Sequence, residues 1–290
     1  NMKVLGSITV NSGYTLIINP STTISFANGA SLVVNGVLNA NATSTQPITF
    51  TSAVSNWSGI VLSGSGANNS QLTYTTINNV LTYGGAALIV NGATGVTIDH
   101  CTISYNALYG TSGISLINAG SPNVSYNTLI GNGYYGIKYE NTSGDIWKNT
   151  IQGNWTGGIS LYNSSPNFGH YGYYLNSQNN LITGGSYGIS ASTYSYPYVG
   201  SQYSSFYGYN SIYNNTTARI SAVNYCDVLA ENNWWGSSYA PSSWFPTSNS
   251  TIDYYSWLYS PPGQQAAPVV IAENTPALSE NVSVASSIDT

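Results

Sequence analysis

A short apolar phrase recurs along the chain, and its spacing restricts the fold more than any other feature. The phrase joins a Gly-Ile-x-Leu strand to a strand of the type Ile-x-x-Asn-Thr-Ile, with two copies between residues 113 and 151. Its closing apolar residue returns at intervals of 22 to 31 residues, at Ile77, Ile103, Leu129, Ile151, Ile182, Ile212 and, more loosely, Trp234. Short strands in a repeat of this length predict stacked β coils.

The position two residues before the closing residue is polar in every copy. After Thr75 and Cys101 it is asparagine five times in succession, at Asn127, Asn149, Asn180, Asn210 and Asn232. At one level of a stack, each side-chain amide can donate to the carbonyl one rung away, which predicts a structural ladder. We expect asparagine to occupy the bend itself, because it tolerates left-handed backbone. The alternative is a polar surface that simply contains many asparagines. A second series follows the closing residue at Asn106, Asn132 and Asn154.

One strand recurs in six coils, at residues 59–62, 87–90, 113–116, 136–139, 158–161 and 188–191. Its second and fourth positions are predicted to face the core, because they are mainly apolar and alternate with other side chains. Equivalent strands lie one full coil apart and run the same way, so they pair in parallel. The sequence therefore predicts an all-β parallel β-helix, or β-solenoid, of about nine or ten coils with a C-terminal extended tail.

Four stretches resemble a known family. They are residues 31–38, 47–52, 57–60 and 231–236, taken together with the recurring phrase. They are similar to the right-handed parallel β-helix repeat proteins of the pectate-lyase-like superfamily, over roughly residues 6 to 258. The resemblance implies a right-handed coil. It implies little about function, because the superfamily includes lyases, hydrolases, tailspikes, adhesins and proteins with no known activity.

The repeat divides the chain into four parts. Residues 1–56 are predicted to form the N-terminal coils or cap of the β-helix, and residues 57–236 its regular body. Residues 237–262 form an aromatic C-terminal cap and linker. Residues 263–290 are predicted to form an extended tail, where Val269, Val270, Ile271, Val282 and Val284 have strand composition but no repeat partners. Such a tail could be disordered, lead to a removed domain, or pair with a neighbouring molecule.

Charged side chains are sparse, with 4 Lys or Arg against 9 Asp or Glu and a net charge of −5. So few cations argue against nucleic-acid binding and against a polybasic membrane surface. No stretch reaches the ~20 apolar residues of a membrane span. A neutral surface of Gly, Tyr, Ser, Thr and Asn suits an extracellular or cell-surface protein. The first residue, Asn1, fits a mature product whose signal peptide has been removed, although a trimmed chain would look the same.

Sequons for N-glycosylation are frequent, although many would arise by chance in a chain this rich in Asn and Ser. They begin at Asn41, Asn56, Asn68, Asn123, Asn141, Asn154, Asn163, Asn214, Asn215, Asn249 and Asn281. The two cysteines, Cys101 and Cys226, belong to distant coils. We expect two buried unpaired thiols, because a disulfide needs Cα atoms within about 7 Å.

A catalytic site is not apparent in the sequence. The acidic residues Asp99, Glu140, Asp145, Asp227, Glu231 and Asp253 are dispersed over different coils. A glycosidase needs two carboxylates ~5 to ~9.5 Å apart, and a uronate lyase needs clustered carboxylates for Ca²⁺ with a basic residue. His100 follows Asp99 but is predicted to face solvent on the opposite side of its strand, and His170 lies in a Gly-rich segment. We therefore expect no catalytic residues, no metal site and no cofactor.

Ten tyrosines fall between residues 171 and 209, where the coils lengthen. Tyr194, Tyr196 and Tyr198 are candidates for contact with a glycan or a protein partner, because aromatic side chains give large contact area at low entropic cost. The alternative is that these rings pack onto the flank of the β-helix.

Three functions are compatible with the sequence. The first hypothesis is a self-assembling filament or sheath subunit, joined head to tail, in which the tail pairs with the next copy. The second is a carbohydrate-binding or adhesive surface β-helix that recognises a surface polysaccharide. The third and weakest is a polysaccharide lyase or hydrolase with an unrecognised site.

Overall fold

The computed structural model describes residues 1–52, 56–106, 110–169, 179–201 and 208–262. The chain is all-β and forms a parallel β-solenoid of about nine turns, which confirms the predicted fold class. Each typical turn contributes one strand to each of three parallel sheets, which we call sheets 1, 2 and 3. Successive strands of a sheet come from successive turns, so every pairing is with the turn above or below.

Within the described residues the strands are as follows. Sheet 1 consists of Met2–Val4, Thr23–Phe26, Ile48–Ser52, Thr75–Asn78, Thr102–Ser104, Thr128–Ile130, Thr150–Gln152, Leu181–Thr183 and Ser211–Tyr213. Sheet 2 consists of Ile8–Val10, Leu32–Val34, Ile60–Ser63, Ala86–Asn91, Ser112–Ile117, Tyr135–Glu140, Gly157–Tyr162, Tyr187–Ser192, Ala218–Val223 and Thr247–Ser248. Sheet 3 has a six-stranded part with Thr15–Ile17, Val37–Asn41, Gln71–Thr73, Thr97–Asp99, Asn123–Ser125 and Asp145–Trp147. Its three-stranded part has Tyr198–Gly200, Asp227–Ala230 and Thr251–Asp253. Two 3₁₀ turns cover Ser65–Ala67 and Ser242–Trp244.

The core is a stack of like residues along the axis. In sheet 2 the inward positions Ile114, Ile137, Ile159, Ile189 and Ile220 are in register and fully buried. Burial of one such side chain contributes roughly 1.5–3 kcal/mol, so the stacked columns supply most of the stability. The alternation of inward and outward positions along each strand is what the sequence pattern indicated.

An asparagine ladder runs along the corner between sheets 3 and 1. The Nδ2 of Asn127 donates to Oδ1 of Asn149 at 3.0 Å, and the pattern continues from Asn149 to Asn180 and from Asn180 to Asn210. At the last rung, Asn210 donates to Asn233 at 2.9 Å, so the assignment of Asn232 to the ladder was wrong by one residue. The error came from the alignment on Trp234. Ser211 lies opposite Trp234, which puts the buried Trp235 in the column of Ile212.

The left-handed bend falls on the residue before most ladder positions, although not on Asn179 before Asn180, which corrects the expectation that asparagine of the ladder itself takes it. Tyr74, His100, Tyr126, Lys148, Tyr209 and Asn232 have φ between 46° and 60°. The residue after each bend points into the core, whereas the bend residues themselves range from buried, as at Tyr209 and Asn232, to exposed, as at Tyr126. The same order occurs at the other two corners, where Gly153 precedes Asn154 and Asn163 precedes Ser164.

Those two corners carry buried ladders of their own. In one, Asn106 donates to Asn132 at 2.9 Å and Asn132 to Asn154 at 2.8 Å. In the other, hydroxyl and thiol groups accept from the backbone N–H of the preceding turn. Its members are Thr142, Ser164, Ser195, Cys226 and Ser250. Both cysteines are buried and unpaired, as expected, and each replaces a ladder side chain.

The ends of the solenoid differ. Strands from residues 1–56 begin each of the three sheets, and the exposed apolar side chains there include Met2, Leu5 and Ile17. At the other end, aromatic rings of residues 245–259 stack on one another, with Phe245 and Tyr254 centroids 3.9 Å apart. The predicted tail of residues 263–290, with Val269, Val270, Ile271, Val282 and Val284, lies outside the described residues, as do His170 and Asn281.

Candidate functional site

A groove of about 260 Å³ lies at the start of three successive sheet 3 segments. One wall is a column of serines, Ser121, Ser143 and Ser165. The other wall is a column of Asn123, Asp145 and Asn167, which occupy consecutive rungs in register. Three rungs extend about 10 Å along the axis at ~4.8 Å per rung. Side-chain hydroxyls, amides and one carboxylate therefore line a short channel parallel to the β-helix axis.

A glycine forms the middle of the groove floor. Asp145 pairs with Asn123 of one neighbouring turn and with Asn167 of the other. Gly144, which precedes Asp145, therefore lies between Pro122 and Pro166. Its φ is +107°, and a Cβ placed on it would stand 2.4 Å from the carbonyl oxygen of Pro122. A side chain at this position would be strained and would collide with the backbone of the neighbouring turn, so this position requires glycine.

Two of the predicted contact tyrosines lie at the end of the groove. The backbone N–H of Tyr196 donates to Oγ of Ser165 at 3.0 Å, and Tyr198 forms an isolated parallel β-bridge with Asn167. Tyr196 and Tyr198 are 47% and 42% exposed, so these rings are not packed away on the flank. Tyr194 stands on the neighbouring corner, where its exposed ring stacks on that of Tyr225 with centroids 5.6 Å apart.

The groove walls are joined to their neighbours by side-chain hydrogen bonds. The Nδ2 of Asn167 donates to Oδ1 of Asp145 at 3.1 Å. The indole Nε1 of Trp147 donates to Oδ1 of Asn123 at 3.3 Å. Asp145 gives the site a negative charge, and the polar groups of Asn123, Asp145 and Asn167 lie on a half-buried surface.

His100 contacts Asp99, contrary to the expectation that the two side chains face opposite ways. Its Nδ1 lies 2.6 Å from Oδ2 of Asp99, and Ser125 Oγ donates to Oδ1 of the same carboxylate at 2.7 Å. The reason is the left-handed bend at His100, which takes this residue out of the strand alternation. The imidazole stacks between Tyr74 and Tyr126, at centroid distances of 4.6 and 4.5 Å.

The carboxylates of this face do not form a glycosidase pair. Asp99 and Asp145 lie two rungs apart and in different columns, which separates their Cα atoms by about 12 Å. Both oxygens of Asp99 already accept hydrogen bonds from Ser125 and His100. Within the described ranges, no group of three or more His, Cys, Asp or Glu side chains could hold a metal ion.

The family model described as "Right handed beta helix region" matches residues 34–203, more than half of the chain. The chain belongs to this right-handed β-helix family. No curated protein matches the sequence. Two solved structures of PfbA, described as a surface adhesin of Streptococcus pneumoniae, are 10% and 11% identical to this β-helix. Each alignment covers 88% of this chain, with 82% and 90% of the respective PfbA chain, at TM-scores of 0.22 and 0.21.

Sequons of this β-helix fall into different environments. Asn154 and Asn215 are buried, with Nδ2 donating to Leu129 O at 3.0 Å and Ile182 O at 3.3 Å, so neither is available as a glycan acceptor. Asn141, Asn163, Asn214 and Asn249 are exposed at corners, while Asn41, Asn56, Asn68 and Asn123 are half-buried. The sequence alone did not separate these classes, because all of them have the same sequon.

The sequence contained a signal for the groove that the repeat analysis missed. Ser-Pro-Asn at residues 121–123 and 165–167, and Ser-Gly-Asp at 143–145, recur at an interval of 22. The next turn replaces this triplet with Tyr-Pro-Tyr at residues 196–198. These triplets lie in turns before the strands, outside the apolar phrase that set the alignment.

Among the described residues, no helix is long and apolar enough to span a membrane.

Proposed function

We propose that this protein is a non-enzymatic, extracellular or cell-surface β-helix that binds a glycan along the sheet 3 groove. The observation that carries the proposal is the position of Tyr196 and Tyr198 at the end of a channel walled by hydroxyl and amide groups. Sugar hydroxyls need hydrogen-bonding partners of both kinds, and the apolar face of a sugar ring needs an aromatic surface. The groove and its two tyrosines offer both within one site.

The negative charge of the protein and of its groove favours an uncharged ligand over an acidic one. The chain has a net charge of −5, and Asp145 stands in the groove wall. A uronic acid or sulfated sugar would bring a second negative charge next to this carboxylate, which opposes binding. The groove is lined by a single carboxylate, that of Asp145, whereas a glycosidase uses two, which supports binding rather than hydrolysis at this site.

A glycan array followed by titration calorimetry tests this proposal. We expect the wild-type protein to bind uncharged glycans, and the Tyr196→Ala/Tyr198→Ala variant to bind at least about tenfold more weakly, equivalent to about 1.4 kcal/mol. Tyr105→Ala is the matched control, because Tyr105 is 67% exposed on a different corner. A wild-type protein that binds no glycan, or a double variant that binds as well as Tyr105→Ala, would contradict the proposal. Release of reducing or unsaturated ends would contradict its non-enzymatic part.

A second candidate function is the filament subunit, in which residues 268–285 add a strand to a neighbouring copy. The observation that favours it is the first turn, whose strands Met2–Val4, Ile8–Val10 and Thr15–Ile17 each pair on one side within the described chain. Such edges offer backbone donors and acceptors to another strand. Electron microscopy of the full chain and of a chain lacking residues 264–290 tests this. Filaments that require the tail support it, while dispersed rods from the full chain would contradict it.

A further inference from the structure

The groove has a fixed order of hydrogen-bond donors and acceptors, and this order restricts the ligand. The inference below rests on the proposed glycan-binding function. It begins at Asn123, whose Oδ1 accepts from Trp147 Nε1 at 3.3 Å. With its oxygen held by the indole, the Asn123 amide offers the two N–H donors of Nδ2 to a molecule in the groove.

Trp147 is itself held in place by the corner aromatic stack. Its ring meets Tyr126 edge to face, with centroids 4.9 Å apart and planes at 67°. Tyr126 stacks on His100, and His100 stacks on Tyr74. The Trp147 residue is 9% exposed, so its indole is packed and does not swing freely through solvent. The stack therefore fixes which end of the Asn123 amide faces the groove.

The next two rungs add hydrogen-bond acceptors. The Nδ2 of Asn167 donates to Oδ1 of Asp145 at 3.1 Å, so Asn167 presents its carbonyl oxygen and the second N–H of Nδ2. The carboxylate of Asp145 has lone pairs for several hydrogen bonds and donates none when ionised. Along the axis, the asparagine and aspartate wall thus presents donors at Asn123, acceptors at Asp145, and both an acceptor and one donor at Asn167, at intervals of about 4.8 Å.

We infer that the groove selects an uncharged glycan that carries an N-acetyl group. The acetamido carbonyl accepts from Nδ2 of Asn123, and sugar hydroxyls donate to Asp145 and Asn167. A hydroxyl can also accept from Asn123, but the carbonyl oxygen of an amide is the stronger hydrogen-bond acceptor. Trp147 is a positioning residue for Asn123: it acts through that amide and need not touch the ligand.

Calorimetric titration with three trisaccharides tests the inference. The probes are N-acetylated chitotriose, its fully deacetylated form and cellotriose, which has hydroxyls in place of the acetamido groups. We expect the acetylated trimer to bind at least about tenfold more tightly than cellotriose, and Asn123→Asp to abolish this preference. Tighter binding of the deacetylated, cationic trimer would instead assign recognition to Asp145 and overturn the inference.

Trp147→Phe separates positioning from a general structural role. It keeps an aromatic ring against Tyr126 but lacks the indole N–H, so the ratio of acetylated-trimer to cellotriose affinity should fall severalfold while cellotriose affinity is retained. Trp155→Phe, on a Trp that is 70% exposed elsewhere, is the control and should leave the ratio unchanged. An unchanged ratio in Trp147→Phe would refute the positioning role.

If the glycan array is positive but no preference for the acetylated trimer exists, this inference fails and glycan binding stands. If neither the array nor any trimer gives binding, both fail.

Discussion

The backbone N–H and the side-chain Nδ2 of Asn149 both donate to one oxygen, Oδ1 of Asn180 in the next turn, each at 3.0 Å. The same double donation links Asn127 to Asn149 and Asn180 to Asn210. One carbonyl oxygen per turn thus satisfies two buried donors at a corner where the strand ladder is interrupted. This arrangement explains why asparagine, and not merely any polar residue, recurs there.

Removing a ladder asparagine should be costly. In Asn149→Ala, the backbone N–H and Nδ2 of Asn127 lose their shared acceptor in a fully buried corner. Each unsatisfied buried group costs about 1–3 kcal/mol, so we expect a loss of roughly 3 kcal/mol in the free energy of unfolding. The midpoint of urea unfolding measures it. Asn141→Ala is the control, since Asn141 makes an exposed amide contact with Asn163. Equal midpoints for the two variants would contradict a structural role of the buried ladder.

Gly144 should be needed for both stability and the groove. In Gly144→Ala, the new Cβ meets the carbonyl oxygen of Pro122 at a backbone angle that alanine rarely adopts. Gly153→Ala provides the comparison, because its φ is +60° and no atom lies within 4 Å of the added Cβ. We expect about 1–2 kcal/mol of destabilisation for Gly153→Ala from left-handed strain alone, and a larger loss together with weaker glycan binding for Gly144→Ala. Thermal unfolding measures the loss of stability, and calorimetry measures glycan binding. If Gly144→Ala is as stable as Gly153→Ala, the backbone next to Gly144 moves to accommodate the added Cβ.

The Cys101 thiol should resist alkylation until the protein unfolds, and it should make stability pH-dependent. Burial raises the pKa of Cys101 from 9.0 to about 12. The folded state therefore holds a proton that the unfolded state releases above pH 9. The stabilisation is complete below pH 9 and falls between about pH 9 and 12, by about 1.4 kcal/mol per pH unit. Burial raises the pKa of Tyr139 as well, with the same sign. Cys101→Ser should show a shallower decline of the unfolding midpoint over this range; an identical decline would assign the effect to the tyrosines.

Glycosylation should follow exposure rather than the sequon pattern. If the chain is secreted through a glycosylating pathway, peptide mass spectrometry should find glycans at Asn141, Asn163 or Asn249, and none at Asn154 or Asn215. The physical reason is that Asn154 and Asn215 would have to leave their buried hydrogen bonds to carry a sugar. Asn163→Gln should remove a glycan and lose only about 1–2 kcal/mol, because glutamine disfavours the left-handed backbone at this corner, whereas Asn154→Gln should destabilise the protein more. A glycan at Asn154 would mean that its buried hydrogen bonds to Asn132 and Leu129 are broken in the glycosylated protein.

The fold was predictable because core positions repeat with the period of the coil. Ile114, Ile137 and Ile159 stack because each is the same position of the same phrase. The single shift in the ladder arose where two tryptophans adjoin, since either Trp234 or Trp235 can close the phrase by composition. Register at that turn is decided by packing: Trp235 is buried, and the backbone of Asn210 needs an acceptor, which Asn233 provides.

The groove was less predictable, because it depends on what lies between the strands. Tyr196 and Tyr198 were selected for their residue type, but their position beside Ser165 and Asn167 requires knowing the register across a coil of 31 residues. His100 was misjudged because strand alternation was applied to a residue with φ of 52°. Local backbone geometry of this kind is set by the corner as a whole and is hard to derive from one coil alone. The filament tail of residues 263–290 stays a prediction.

The ladders also have a direction, and this direction bears on how the protein is made. At the corners, backbone N–H groups of one turn are satisfied by the amide, hydroxyl or thiol of the following turn, as in the bond from Ser195 N–H to Cys226 Sγ. The asparagine amides also donate back to the preceding turn, as from Nδ2 of Asn127 to the carbonyl oxygen of Ile98. During synthesis or export, the newest turn therefore presents unsatisfied donors that the next turn completes as it arrives. A chain that stops between turns therefore ends in corner N–H groups that have no acceptor until the next turn is added.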